Sequence, residues 1–223
     1  MREGTINYVE LNKSQKGAIT DPCTEYTARQ AIRHCFPQLE VGLSVLDYGC
    51  SIGRASCVFR DQGFQVTGVD VIEERLGQAE KVCDSTFLRK DMKEPLPFGK
   101  SSFDLIFSAQ LIEHLCNCDA QQFLQEAYEL LKPDGRIFLS TPNPHYFRII
   151  LQRLPMIRGC HLSCWSVEDL KHALTVAGFC KPKHFGNGRM SLLIGDSFPC
   201  RWIYGGIAVT ARKPLQQDTP ADG

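Results

Sequence analysis

Five short runs rich in β-branched and aromatic residues, separated by stretches of helical period, constrain this chain more than any other feature. They are LSVLDY (43–48), FQVTGVD (64–70), TFLRKD (86–91), FDLIFS (103–108) and RIFLST (136–141). Their apolar character is that of parallel strands covered on both faces. Between them, RASCVFRDQG ends at Gly63, a residue suited to the turn after a helix, and VIEERLGQAEKVC gathers its charges on one face. DAQQFLQEAYELLKPDG has an N-cap candidate in Asp119 and stops at Pro133 and Gly135. Strand, helix, strand repeated with crossovers of roughly 10–20 residues winds right-handed into a doubly wound parallel sheet. Such sheets hold ligands at the carboxyl ends of their strands, beside the switch point, and the chemistry is expected on that edge.

The flanks read differently. DPCTEYTARQAIRHCFP predicts a helix with Pro22 at its first position and a stop before Pro37, which makes 1–40 a helical cap. CWSVEDLKHALTVAGF predicts a helix N-capped by Ser166, with Asp169 closing a capping box and Gly178 ending it. CKPKHF (180–185) and GGIAVTARK (205–213) are two further strands, joined by a Gly-containing excursion without a crossover helix, and so antiparallel neighbours. The body of the domain is 41–213, and the polar residues of 214–223 form a flexible tail.

Composition removes several function classes. With 223 residues, 43% hydrophobic and 22% charged, the chain buries one full core. Lys plus Arg and Asp plus Glu are both 25, so no global field draws it to nucleic acid or an anionic surface. MREGTINYVELNKSQKG lacks an apolar leader segment and no run of 18 apolar residues occurs, so a cytoplasmic protein without a membrane span is expected. Eleven cysteines are then reduced, mostly buried thiols.

The first crossover, VLDYGCSIGR (45–54), sets Asp47 beside a turn with glycine at 49 and 53. A dinucleotide fingerprint needs G-x-G-x-x-G with a pyrophosphate on the next helix, but positions 51 and 54 are Ser and Arg. Asp47 would also face that pyrophosphate. At about 5 Å and an effective dielectric near 20, each like-charge contact costs roughly 3 kcal/mol. A ligand bearing an ammonium or sulfonium group reverses the sign, and the same carboxylate becomes an anchor. Arg54 stands against this argument unless its side chain points elsewhere.

These residues carry a resemblance. VLDYGCSIG is similar to the first motif of class I S-adenosylmethionine-dependent methyltransferases, VTGVD to the second-strand motif, KDMKEPLPFGKSSFDLIFSAQLIEHL to the stretch through strand four, and LLKPDGRIFLSTPN to that through strand five. Within that superfamily the chain resembles the small-molecule branch of ubiquinone-biosynthesis O-methyltransferases, and TPNPHYFRIILQRL with HLSCWSVEDL resembles MetW-like proteins. The implied fold is Rossmann-like α/β: a seven-stranded, mostly parallel sheet with an antiparallel last strand and helices on both faces. The implied cofactor is S-adenosyl-L-methionine.

The resemblance implies that Asp47 holds the methionine amino end and that Gly49 and Gly53, with Cys50 between them, let backbone approach the ligand. It implies that Asp70, followed by Val71, takes the ribose hydroxyls, and that Asp91 and Met92 flank the adenine. Ser108, Ala109 and Gln110, just past strand four, would lie below the sulfonium. Ser51 departs from the family's glycine; if the position needs φ > 0, serine costs about 1 kcal/mol or more.

Methyl transfer from a sulfonium rests on alignment, worth roughly 7–11 kcal/mol, and needs a base only when the nucleophile arrives protonated. His114 and His145 are the catalytic candidates, with His161 a rival, each set against the plain reading of a packed imidazole. Glu113 adjoins His114, but adjacent helical residues diverge and the two are not paired. Cys116 and Cys118, with Cys160, His161 and Cys164, lack the paired C-x-x-C spacing of structural zinc, so no metal is expected. HYFRIILQRLPMIR (145–158) is amphipathic and basic, suited to a membrane surface or an acidic acceptor; Pro155 limits its helix, and 145–165 reads as a lid.

SAQL stands where enzymes that methylate exocyclic amines of DNA bases or glutamine carry an Asn/Asp-Pro-Pro-aromatic loop, which, with the neutral charge, disfavours nucleic acid. The expected function is methyl transfer to a small-molecule acceptor at oxygen, by a homodimer or with a partner enzyme. The alternatives are a catalytically weak cofactor-binding partner of a biosynthetic enzyme and a nicotinamide-dependent oxidoreductase.

Overall fold

The computed structural model describes residues 23–38, 41–91, 94–157, 159–199 and 201–215. Pro22 and the rest of the cap before Cys23, Met92, and the tail from 216 lie outside the described residues.

The predicted strands form one sheet. They are β1 (Ser44–Tyr48), β2 (Gln65–Asp70), β3 (Thr86–Arg89), β4 (Phe103–Ala109), β5 (Leu131–Pro142), β6 (Cys180–Asn187) and β7 (Gly206–Arg212), in the order β3-β2-β1-β4-β5-β7-β6. β1 to β5 are parallel, and β7 runs antiparallel between β5 and β6. The chain moves outward from β1 through β2 to β3 and returns across β1 to β4, which puts the switch point at the carboxyl ends of β1 and β4.

Helices α1 (Cys23–Cys35), α2 (Arg54–Asp61), α3 (Glu73–Val82), α4 (Asn117–Leu130), α5 (Phe147–Leu151), α6 (Val167–Val176) and α7 (Arg189–Ile194) complete the described residues, with a 3-10 turn at Ile112–His114 and another at Arg201–Ile203. Alternation along each strand sorts the core into two layers. Val45, Leu105, Phe107 and Phe138 pack with Ala28, Ala31 and Phe59 from α1 and α2. Leu46, Ile106, Ile137 and Leu139 pack with Phe123, Leu124, Leu170 and Leu174 from α4 and α6.

Several boundaries differ from the sequence reading. Asp119 does not cap α4: Cys116 is the N-cap, its Sγ accepting from the Asp119 amide at 3.4 Å. Asp119 sits in the first turn, where its charge still opposes the positive helix end. β3 stops at Arg89, short of Asp91, and β5 begins at Leu131, before the expected Arg136. The capping box of Ser166 and Asp169 is present, and the excursion from β6 to β7 contains the six-residue helix α7. No helix among the described residues is long and apolar enough to cross a membrane.

Candidate active site

Two backbone bonds fix the turn after β1. The amides of Gly49 and Cys50 donate to the Val69 carbonyl at 2.8 and 2.9 Å, which folds the turn over the end of β2. Gly49 (φ 84), Ser51 (φ 51) and Gly53 (φ 77) all occupy the left-handed region. A side chain on Gly49 would run into Leu111 at 3.3 Å, and one on Gly53 into Ala79 of α3 at 2.9 Å. The two glycines therefore do different work. Gly49 keeps open the space under Leu111, whereas Gly53 lets α2 start against α3.

Two buried carboxylates, Asp47 and Asp70, flank this turn. Asp47 is 2% exposed, and its Oδ2 accepts from Ser56 Oγ at 2.6 Å. Asp70 accepts at Oδ2 from the Ser51 amide and at Oδ1 from the Ile72 amide, each at 2.9 Å. Burial, and then the charge of Asp70, pushes the Asp47 carboxyl up to about 7 even though Ser56 opposes the shift. Burial raises Asp70 as well, against its backbone bonds and Arg75. Arg54 does not neutralise the pair, because its Nη1 lies 3.6 Å from Glu25 of α1 and it lines no part of the cleft. Two other cations line the cleft, Arg75, which lowers Asp70, and Lys90, which is paired with Glu126 at 3.4 Å, so Asp47 is the carboxylate left to a positive guest.

A cleft of about 260 Å³ opens at the switch point. Asp47, Gly49, Cys50, Asp70, Val71, Ala109 and Gln110 line it, together with His114 and His161. Burial lifts the Cys50 thiol well above its ordinary value, so it is no nucleophile. Four predicted residues stand elsewhere. Gly53 faces α3. Ser108 lies inside β4 rather than past it and spends its hydroxyl on the Tyr48 carbonyl at 2.9 Å. Asp91 falls after β3, its carbonyl accepting from the Glu94 amide at 3.0 Å, and the preceding Lys90 lines the cleft instead. His145 is exposed, its amide donating to Asn143 Oδ1 at 3.0 Å.

The 3-10 turn Ile112–His114 supplies what the sequence reading passed over. Glu113 is 2% exposed and lines the cleft; Oε2 accepts from Thr141 Oγ1 at 3.1 Å, and Oε1 has no hydrogen-bond partner. Burial pushes its carboxyl up to about 8. His114 Nδ1 lies 3.1 Å from the Cys160 carbonyl, which only accepts, so the proton sits on Nδ1 and Nε2 keeps its lone pair. Burial lowers His114 to about 4 and keeps it neutral. His161 meets its ring edge-on at 5.0 Å. Ligand atoms of His114, Cys160 and His161 converge within 4.8 Å, and Cys116, Cys118 and Asp119 form a separate group.

Comparison with known proteins decides the family. The profile of a methyltransferase domain matches residues 23–181. The chain belongs to the class I S-adenosylmethionine-dependent methyltransferases. It is 33% identical over 107 residues to a ubiquinone biosynthesis O-methyltransferase of Caulobacter vibrioides, covering 46% of this chain and 42% of that protein. It is 32% identical over 152 residues to the Pseudomonas aeruginosa protein of the same name, covering 57% and 63%. The chain thus spans about half the length of the curated relatives it matches. A SAM-dependent methyltransferase of Archaeoglobus fulgidus superposes with a TM-score of 0.67 at 21% identity over 85% of this chain and 94% of that one. Phosphoethanolamine N-methyltransferase 2 of Haemonchus contortus, solved with S-adenosyl-L-methionine, gives 0.64 at 17% over 95% and 61%. These two share the fold.

The methyltransferase's own residues fit that cofactor. Buried Asp47, its proton affinity raised by desolvation and by the charge of Asp70, is where a cationic group would bring relief, and the cradle beneath has no side chain at Gly49. Ser51 accepts the strain of φ 51 and repays part of it through the Asp70 bond. Glu113 left a faint signal in the sequence, a carboxylate beside a histidine and flanked by Leu111, Ile112 and Leu115 just past β4.

Proposed function

We propose that this methyltransferase acts on a small-molecule acceptor and methylates it at oxygen. Asp47 would hold the ammonium end of S-adenosyl-L-methionine, Asp70 the ribose hydroxyls, and Ala109 and Gln110 the floor of the reacting end. Bound there, the cofactor supplies an electrophilic methyl group on a positively charged sulfur. The chain aligns the acceptor and removes its proton.

The observation that carries this reading is Glu113, a buried carboxylate with one oxygen unpartnered in the wall of the same cleft. An acceptor hydroxyl donating to Oε1 would complete its bonding, and its proton would pass to Glu113 as the acceptor oxygen takes the methyl group. Basicity selects this residue over its neighbour. His114, lowered to about 4, is a weak base, whereas Glu113, raised by burial to about 8, is the stronger one. His114 positions; its Nδ1 bond ties the turn to Cys160.

Ser51 favours a second reading, in which a strained cofactor loop serves a partner enzyme rather than catalysis. Against it, the Ser51 amide is fully used and the loop keeps both bonds to Val69. Transfer of a labelled methyl group to a panel of small hydroxylated acceptors separates the two. Labelled product that falls sharply in Glu113→Gln supports the enzyme. Cofactor binding with no labelled product from any acceptor supports the partner.

A further inference from the structure

We propose that the two segments at the carboxyl edge of the sheet, 143–165 and 188–205, form a surface that docks on an anionic lipid membrane. Both leave the sheet at one place. β5 ends at Pro142 opposite Gly206, the first residue of β7, and β6 ends at Asn187 opposite the same glycine. Asn143 binds the root of the second segment, its amide donating to the Gly205 carbonyl at 3.0 Å and its Nδ2 to the Tyr204 carbonyl at 2.8 Å.

Of thirteen large apolar side chains exposed among the described residues, nine stand on these two segments. α5 presents Phe147, Ile150 and Leu151, spaced i, i+3, i+4 on one helical face, and no residue of that helix is buried. The second segment presents Leu192, Leu193 and Trp202, with Leu193 76% and Trp202 64% exposed. Scattered apolar residues on a surface need no explanation, but this concentration on two adjoining segments does.

Charge selects the occupant. Residues 143–165 carry three arginines and no acid; 188–205 carry two arginines and one acid, Asp196. Asp196 is 7% exposed and is held by Gln30, Arg33 and His34, so it presents no charge to that surface. An apolar stripe flanked by arginines with no free carboxylate is the complement of an anionic headgroup layer, into which Leu and Trp insert while Arg meets phosphate. A neutral chain overall gains this attraction locally. A further cavity, of about 110 Å³, lies at the root of both segments and shares Thr24, Ala109 and Gln110 with the main cleft, so the docking surface adjoins the cleft.

Co-sedimentation of the full chain with phosphatidylcholine vesicles, and with the same vesicles containing phosphatidylglycerol, tests this. Binding is expected to the anionic vesicles and to weaken with salt. Ile150→Glu/Leu151→Glu and Leu192→Glu/Leu193→Glu, all at exposed positions, should each lower the partition coefficient about ten-fold or more with an unchanged melting temperature. Arg148→Glu/Arg153→Glu should do the same and remove most of the salt dependence. Absent vesicle binding, or binding unchanged in all three variants, overturns the proposal. Self-association lost in the same variants, without vesicle binding, overturns it in favour of a second copy of the chain.

Discussion

The backbone amide of Ser51 donates to Oδ2 of Asp70 at 2.9 Å, so the tip of the first loop hangs on the last acid of the second strand. That bond holds a serine at φ 51, where glycine is at ease. Ser51→Gly should therefore raise stability by up to about 1 kcal/mol, the strain relieved less the entropy of an added glycine. Urea unfolding measures it, and a loss of more than about 1 kcal/mol would show that the serine hydroxyl contributes more than the strain costs.

Gly49 and Gly53 separate in the same way. Gly53→Ala places a Cβ 2.9 Å from that of Ala79 at φ 77 and should cost about 1–3 kcal/mol of stability through the α2–α3 contact. Gly49→Ala meets Leu111 in the cleft and should chiefly weaken cofactor binding. Calorimetric titration of both variants with S-adenosylhomocysteine, beside their melting curves, checks the division.

Asp47 predicts a pH dependence with a definite sign. Its carboxyl holds a proton up to about pH 7 in the folded chain against an ordinary value of 3.8, so the ligand-free protein loses stability as pH rises between those values. An ammonium group prefers the ionised form, so affinity for S-adenosylhomocysteine should rise from pH 5.5 and level off above about 7. Asp47→Asn should flatten that rise and cost about ten- to a hundred-fold in affinity at pH 8, the loss of a charge-assisted bond.

Glu113→Gln should lower turnover about 10²- to 10⁴-fold while leaving cofactor affinity near that of the parent. The parent's turnover should climb with pH toward the Glu113 value near 8, and the variant's should not follow that limb. His114→Ala should weaken turnover less and keep the limb.

The central strands were legible because runs buried on both faces are apolar throughout, and the turn after β1 because Asp47, two glycines and Asp70 recur at strand ends in order. Side-chain direction was not legible. Glu113 and His114 were expected to diverge as α-helical neighbours, but they share a three-residue 3-10 turn enclosed between Thr141 and the 160–163 segment, and both reach the cleft. Ser108 and Asp91 were misplaced by a residue or two of strand length: β4 runs on to Ala109 and β3 stops at Arg89. His145 lay in a segment whose sequence specifies its exposed face but not its path.

The pairing of buried Asp47 with a cationic ligand at the end of β1 underlies the proposed chemistry. Titration calorimetry at pH 8 of the parent and Asp47→Asn, each with S-adenosylhomocysteine and with NAD, tests it most directly. The parent should bind S-adenosylhomocysteine, the variant should bind it about ten-fold or more weakly, and neither should give heat with NAD. Equal affinity in both proteins, or binding of NAD alone, would contradict it.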